Sequence, residues 1–189
     1  MNIFLSASIP QQGRDSKYND TADIIAIRDS VLALATIILP NYKLVWGGHP
    51  SITALIAQVL YHAKKQANEH VILYQSRYFE KCFPLENERV AHIIYTPDLG
   101  NRDKSLLELR LRMMKDNSFE AAFFIGGMEG VEEEFKLFTT YHPNANVFPI
   151  ASTGAAAKLI YDKTPEKYDT RLLTELTYSS LFKELLNIK

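Results

Sequence analysis

The stretch AAFFIGGMEGVEEEF, residues 121–135, contains the main signal for the fold of this chain. It begins with an apolar run typical of a buried, central β-strand, continues through a Gly-Gly pair, and passes a third glycine into a helical pattern that carries three consecutive glutamates. Glycines at a strand-to-helix turn let the backbone approach a ligand closely, and a helix start presents unpaired N–H groups to anionic oxygens. The stretch therefore predicts a strand, a turn and a helix with a ligand at the turn.

A second stretch repeats this design. LVWGGHPS, residues 44–51, also runs from a strand pattern through a Gly-Gly pair into a helical pattern. Two such turns in one small domain predict a nucleotide-sized ligand at the carboxyl edge of a sheet, where open α/β sheets bind their ligands. The sequence contains neither the G-x-G-x-x-G fingerprint nor a P-loop motif, which disfavours a conventional dinucleotide dehydrogenase and a P-loop NTPase.

Strand and helix patterns alternate along the whole chain. They predict an α/β fold of the Rossmann-like, doubly wound type, with a mainly parallel sheet of about six to seven strands and helices on both faces. We expect one domain over residues 1–189. Asp20 or Thr21 is the expected N-cap of the first long helix. Residues 76–89 are predicted to form a loop, and residues 170–187 one helix, which could cover the sheet or pack against a partner subunit.

Composition narrows the range of partners. The apolar content of 47% and the charged content of 23% are those of an ordinary soluble domain. The net charge of −1 gives no indication of nucleic-acid or membrane binding, and we expect a cytoplasmic protein. The single cysteine, Cys82, excludes an intramolecular disulfide. Because the histidines lack ligand spacing, the sequence predicts no metal and no cofactor.

The glycine-rich motifs resemble those of the SLOG superfamily. This group includes LOG-type phosphoribohydrolases, DprA proteins and the sensor domains of bacterial antiviral systems such as Thoeris. LOG enzymes carry P-G-G-x-G-T-x-x-E after a strand. Gly126, Gly127, Gly130 and Glu134 match its glycines and its glutamate, with one additional residue before the third glycine.

Other positions extend the resemblance to about residues 2–160 and also limit it. Arg110 and Met114 match an R-x-x-x-M segment on the preceding helix of LOG enzymes. Ile125 stands in place of the motif proline, and Val131 in place of a threonine whose hydroxyl would help to hold a phosphate. These departures weaken the case for a 5′-monophosphate substrate. The residues 126–131 and 150–154 look more like those of the ligand-sensing branch, whose members sense nucleotide-derived signals made by TIR-domain enzymes.

The resemblance implies a function as a sensor of an ADP-ribose or cyclic ADP-ribose type of signal. It also implies a homo-oligomer, either a dimer or a tetramer, and a TIR-type or other effector as a protein partner. In this hypothesis Arg110 neutralises phosphate and Glu134 binds ribose hydroxyls. The alternative is an enzyme, a LOG-like N-glycosidic hydrolase or a nucleoside deoxyribosyltransferase-like protein, in which Arg110 and Glu134 are catalytic.

The predicted ligand-binding residues follow from these motifs and from the small polar residues at strand ends. They are Ser6, Ser8, Gly47, Gly48, His49, Ser51, Arg110, Gly126, Gly127, Met128, Glu129, Gly130, Glu134, Ser152, Thr153 and Gly154.

Plainer roles remain open for several of these residues. Arg110 and Glu134 could form a salt bridge, and His49 could be a local hydrogen-bonding group in its turn. Ser152 and Thr153 could simply cap a helix.

Aromatic side chains beside the third predicted strand raise a similar choice. Tyr74, Tyr78 and Phe79 could stack on a base, although packing is the commoner role of aromatic residues there.

Overall fold

A computed structural model describes residues 2–11, 13, 15–39, 41–63, 70–89 and 92–188. Its core is a six-stranded sheet in the order β4-β3-β2-β1-β5-β6, in which every pairing is parallel. The strands are β1 (Asn2–Ser8), β2 (Lys43–Trp46), β3 (Val71–Ser76), β4 (His92–Thr96), β5 (Phe119–Gly126) and β6 (Asn146–Ile150). The predicted Rossmann-like α/β fold is therefore confirmed.

Helices connect the strands. The α-helices are α1 (Ser16–Asn19), α2 (Ile24–Ile38), α3 (Pro50–His62), α4 (Arg102–Lys115), α5 (Glu129–Tyr141), α6 (Ala155–Lys163), α7 (Arg171–Thr174) and α8 (Tyr178–Leu185). Short 3-10 helices cover Arg77–Cys82, Leu85–Arg89, Ala151–Thr153 and Pro165–Lys167. Within the described ranges, no helix combines the length and apolar character needed to cross a bilayer.

Both faces of the sheet are covered, as a parallel sheet requires. Side chains alternate along β1, so that Ile3 and Leu5 pack with α2 and α3 on one face, while Phe4 packs with α4, α5 and α6 on the other. The Phe4 ring stacks on Phe138 of α5 with 5.4 Å between ring centroids. The two apolar layers hold the helices against the sheet and so fix the positions of the strand ends.

Strand order determines where the edge of the sheet opens. The chain proceeds outward from β1 through β2 and β3 to β4, and then returns through α4 to β5 on the opposite side of β1. The connections on the two sides of β1 therefore diverge, which leaves an opening at the carboxyl ends of the central strands. Both Gly-Gly turns, after β2 and at the end of β5, lie at this edge.

The C-terminal segment differs from the prediction. Residues 170–187 form two short helices, α7 and α8, rather than one. Glu175 adopts an extended backbone, and its carboxylate accepts hydrogen bonds from the N–H groups of Leu176 (2.9 Å) and Thr177 (2.7 Å), which ends α7. The segment buries three apolar side chains against the sheet: Leu172, Leu181 and Phe182. Leu176 is exposed, and the suggested subunit interface stays a prediction.

Two smaller predictions were also wrong. Residues 76–89 contain two 3-10 helices instead of a loop, and the first of them begins where the Ser76 hydroxyl accepts a hydrogen bond from the Tyr78 N–H. The N-cap of α2 is Asp23, whose carboxylate accepts from the Ala26 N–H at 2.9 Å. A short helix that the pattern did not reveal, α1, comes before it.

Candidate ligand-binding crevice

A crevice of about 650 Å³ lies at the carboxyl edge of the sheet. Its walls are the ends of β1, β2 and β3, the first 3-10 helix after β3, one side of α4 and the first turns of α5. This volume is within the range of pockets that hold small organic ligands, roughly 300–1,000 Å³. Many of the predicted residues line it: Ser8, Gly47, Gly48, His49, Ser51, Arg110, Met128, Glu129, Gly130 and Glu134. The other predicted residues lie outside this lining: Ser6, Gly126, Gly127, Ser152, Thr153 and Gly154.

Arg110 and Glu134 meet at the wall between α4 and α5. Arg110 Nε donates to Glu134 Oε1 at 3.4 Å, and Ser6 Oγ donates to Glu134 Oε2 at 2.6 Å. Ser6 is 1% exposed and Arg110 9% exposed, so this cluster is nearly removed from bulk water. Ser6 therefore acts on the crevice through Glu134 rather than by lining it.

The guanidinium of Arg110 is shared between two carboxylates. Its Nη1 also bonds to Glu133 Oε2, and the Glu133 side chain is 54% exposed. Gly130 lies close to this guanidinium, because a Cβ at that position would lie 3.0 Å from Arg110 Nη2. The sequence left open whether Arg110 and Glu134 form a salt bridge or bind a ligand. They form the salt bridge, and both also line the crevice.

The Gly126-Gly127 turn is held by the protein itself. The Gly127 N–H donates to the Ser8 carbonyl at 2.8 Å, and the Gly126 N–H donates to Thr153 Oγ1 at 2.8 Å. Both glycines have positive φ, 55° and 85°, which is why this turn needs glycine. These two N–H groups are occupied, so an anion would have to use the start of α5, where Met128 contributes no side-chain cap.

Ser152 and Thr153 make contacts away from the crevice. Thr153 is fully buried, and its hydroxyl donates to the Ile150 carbonyl at 2.6 Å while it accepts from Gly126. Ser152 Oγ forms a 3.1 Å hydrogen bond with the Tyr178 hydroxyl of α8. Thr153 therefore joins the end of β6 to the turn after β5, and Ser152 joins this region to the C-terminal segment.

Gly154 lies where another part of the chain approaches the start of α6. Its φ is +71°, and a Cβ there would lie 1.7 Å from the Thr21 carbonyl oxygen. Thr21, which the sequence suggested as the cap of α2, instead accepts from the Ala155 N–H at 2.9 Å. The start of α6 is thus capped by a distant threonine that sequence spacing could not identify.

The turn after β2 is built around Gln75, which the sequence analysis missed. Gln75 is 4% exposed, lines the crevice, and donates from Nε2 to the Gly48 carbonyl at 3.2 Å. Gly48 has a φ of +69°, and a Cβ there would lie 1.9 Å from Gln75 Nε2. Beyond the turn, His49 Nδ1 and Ser51 Oγ form a 2.7 Å hydrogen bond. The glycine therefore allows the backbone to contact a buried amide.

Aromatic side chains complete the wall on the β3 side. Phe79 and Phe83 are half-buried and line the crevice, together with the exposed thiol of Cys82. Trp46 also lines it, is 2% exposed, and has an indole N–H without a hydrogen-bond partner among the described residues. Tyr74 belongs instead to the core. A lone sequence gave no signal for Phe83 or Trp46, because nothing marks which aromatic residues of a segment face a ligand.

A separate polar cluster fixes the segment between β1 and α2. Glu132 of α5 accepts from the Tyr18 hydroxyl at 2.7 Å and from Lys163 Nζ at 2.8 Å. Partial burial raises the pKa of the Glu132 carboxyl, but the hydrogen bonds from Lys163 and Tyr18 outweigh burial, so this pKa lies below its usual value.

Comparison with known proteins agrees with this geometry. A model of the SLOG cluster3 family matches residues 17–186. An X-ray structure of TM1055, a target of the Northeast Structural Genomics Consortium, superimposes with a TM-score of 0.63 over 97% of this chain and 98% of that chain, at 13% sequence identity. At that identity the likeness concerns the fold alone. A comparison with curated proteins finds no match.

Proposed function

The chain belongs to the SLOG cluster3 family, and we propose that it binds a nucleotide-derived small molecule in its crevice and acts as a sensor of that molecule. The ligand class is that of ADP-ribose and cyclic ADP-ribose, and the setting is bacterial antiviral signalling with a TIR-type or other effector as partner. The observation that carries the proposal is the crevice itself, which combines a buried arginine, a carboxylate and the glycine turn after β2 at the switch point of a parallel sheet.

The hydrogen bonds of Glu134 fix its carboxylate in the crevice wall and leave lone pairs for a ligand. A carboxylate that activates water or stabilises an oxocarbenium-like centre must present an oxygen to the substrate. Here Oε2 accepts from Ser6 and Oε1 accepts from Arg110. A carboxylate held in this way can still accept a hydrogen bond from a ribose hydroxyl through its remaining lone pairs. Glu134 can therefore serve as a rigid recognition group.

The charges also favour a ligand whose phosphates are only partly enclosed. Arg110 is balanced by Glu133 and Glu134, and Glu129 adds a further negative charge to the crevice lining. The other arginine of the lining, Arg102, is exposed. A diphosphate that lies along the solvent side avoids the carboxylates, whereas a deeply buried monophosphate would meet them.

The test is ligand binding with product analysis. Trp46 is the only tryptophan of the chain and lines the crevice, so its fluorescence reports occupancy directly. We expect ADP-ribose or a cyclic ADP-ribose isomer to change this fluorescence and to raise Tm, and chromatography to recover the ligand intact. Nucleoside monophosphates and NAD complete the panel.

Two matched variants identify the role of Glu134. Glu134→Gln removes the negative charge of the Arg110 partner that lines the crevice. Glu133→Gln removes the negative charge of the other Arg110 partner, which lies outside the lining. We expect Glu134→Gln to weaken binding at least about tenfold, the size of one lost hydrogen bond to a charged group, and Glu133→Gln to change it little. Release of free base by the wild type, abolished in Glu134→Gln, would instead establish the N-glycosidic enzyme. A panel that leaves Tm and fluorescence unchanged would overturn the proposal.

A further inference from the structure

The β3 side of the crevice carries a set of groups that the motifs do not include. The buried amide of Gln75 lines the crevice at the end of β3, Phe79 lines it from the 3-10 helix that follows, and Phe83 lines it just after that helix, whereas Arg110 and Glu134 come from α4 and α5. We propose that this wall is a subsite for an adenine-type base, in which Gln75 recognises the edge of the base and Phe79 stacks on its face. The inference rests on the proposed function and specifies which part of a nucleotide lies where.

Gln75 has the properties of a recognition group rather than of a packing residue. Its side chain is 4% exposed, and one amide N–H is used by the Gly48 carbonyl at 3.2 Å. That bond fixes which end of the amide is the nitrogen, and therefore where Oε1 and the second N–H lie. A fixed amide with one acceptor and one donor matches the N6 amino group and N7 of adenine, the pair that glutamine reads in a bidentate manner.

A two-point contact is what would give selectivity. Hypoxanthine presents an oxygen where adenine presents the N6 amino group, so it would place two acceptors against each other. Turning the amide over would instead place Oε1 against N7, which is also an acceptor. It would also cost Gln75 its bond to Gly48, whose backbone contacts the amide so closely that a Cβ would lie 1.9 Å from Nε2.

The aromatic residues of the wall are placed to stack. Phe79 is half-buried and contacts Tyr78 edge-on, with 5.0 Å between ring centroids. Phe83 stacks on Tyr95 at 5.8 Å, and the guanidinium of Arg77 covers the Tyr95 ring at 4.9 Å. Phe83 is thus held by Tyr95, and Phe79 also contributes its ring to the crevice lining. An aromatic ring in such a lining can serve as a platform for any planar base.

The experiment compares three probes by calorimetry: ADP-ribose, its hypoxanthine counterpart, and ribose 5-phosphate, which has no base. We expect the wild type to prefer ADP-ribose over the hypoxanthine compound by about tenfold. Phe79→Ala should weaken ADP-ribose binding about tenfold and leave ribose 5-phosphate binding unchanged. Tyr61→Ala is the matched control, because Tyr61 is an aromatic residue of α3 that is exposed and lies outside the crevice lining.

A second variant tests edge recognition. Gln75→Met keeps the length of the side chain and should abolish the preference for adenine over hypoxanthine, with thermal melting confirming that the variant folds. Equal affinity of the wild type for the two base analogues, or equal effects of Phe79→Ala and Tyr61→Ala, would overturn the base subsite while leaving the proposed function intact. Failure of the wild type to bind any member of the ligand panel would overturn both.

Discussion

Replacement of Thr153 by valine should destabilise the protein more than replacement by serine. Thr153 is fully buried and makes two hydrogen bonds, to Gly126 N at 2.8 Å and to the Ile150 carbonyl at 2.6 Å. Valine preserves shape but leaves the Gly126 N–H without its acceptor, and an unsatisfied buried group costs about 1–3 kcal/mol. Adding the lost bond to Ile150, we expect a loss of about 2–3 kcal/mol in the free energy of unfolding. For a domain of this size the Tm should fall by about 5–10 °C.

Serine isolates the hydrogen bonds from the methyl group. Thr153→Ser keeps the hydroxyl and removes one buried methyl group, which costs about 1 kcal/mol and about 2–4 °C. Thermal melting and urea unfolding of both variants measure the difference. A valine variant as stable as the serine variant would refute this account of the turn. An unchanged Tm for Thr153→Val with loss of ligand binding would restore the sequence prediction that Thr153 contacts the ligand.

Two further changes test the turn after β2 and the polar cluster on α5. Gly48→Ala should lower Tm by several degrees and weaken ligand binding, because the φ of Gly48 is +69° and a Cβ there would overlap a buried amide. Gly47→Ala should change Tm little, because its Cβ would have its nearest neighbour at an ordinary 3.5 Å. Equal effects of the two variants in differential scanning calorimetry would contradict this. Glu132 has a lowered pKa in the folded state, so its contribution is present above the unfolded-chain value of about 4.3 and is lost as the pH falls through the lower folded value. In urea titrations from pH 7 to 3, the free energy of unfolding of Glu132→Gln should therefore fall less steeply with acid than that of the wild type. Glu166→Gln, whose side chain is exposed, should behave like the wild type. The same pH dependence in both variants would contradict this role of Glu132.

The sequence could predict the strands and glycine turns, because neighbouring residues determine their backbone conformation. The apolar run before Gly126 and the run before Gly47 identified the strands and their turns, because strand period and glycine conformation are properties of neighbouring residues. Arg110 and Glu134 were paired through the resemblance to a family, not through spacing. Gln75 and Thr21 were missed as functional contacts because their partners, Gly48 and Ala155, lie 27 and 134 positions away.

The single predicted C-terminal helix failed for a related reason. The segment is rich in leucine, which favours a helix, and two of its leucines, Leu172 and Leu181, are buried. Spacing does not show that a carboxylate will compete for backbone N–H groups. Glu175 does so with two consecutive N–H groups and ends α7 after one turn.

The two glycine turns are similar in sequence but have different structural roles. At the turn after β5, the N–H groups of Gly126 and Gly127 are consumed by Thr153 and Ser8, so the glycines hold three strand ends together. At the turn after β2, Gly48 uses its carbonyl to orient an amide of the crevice wall. A ligand bound between the turns would therefore take little of its affinity from the glycine backbone. Selectivity must come from side chains held by that backbone, and substitutions at the glycines should alter binding through the positions of Arg110 and Gln75.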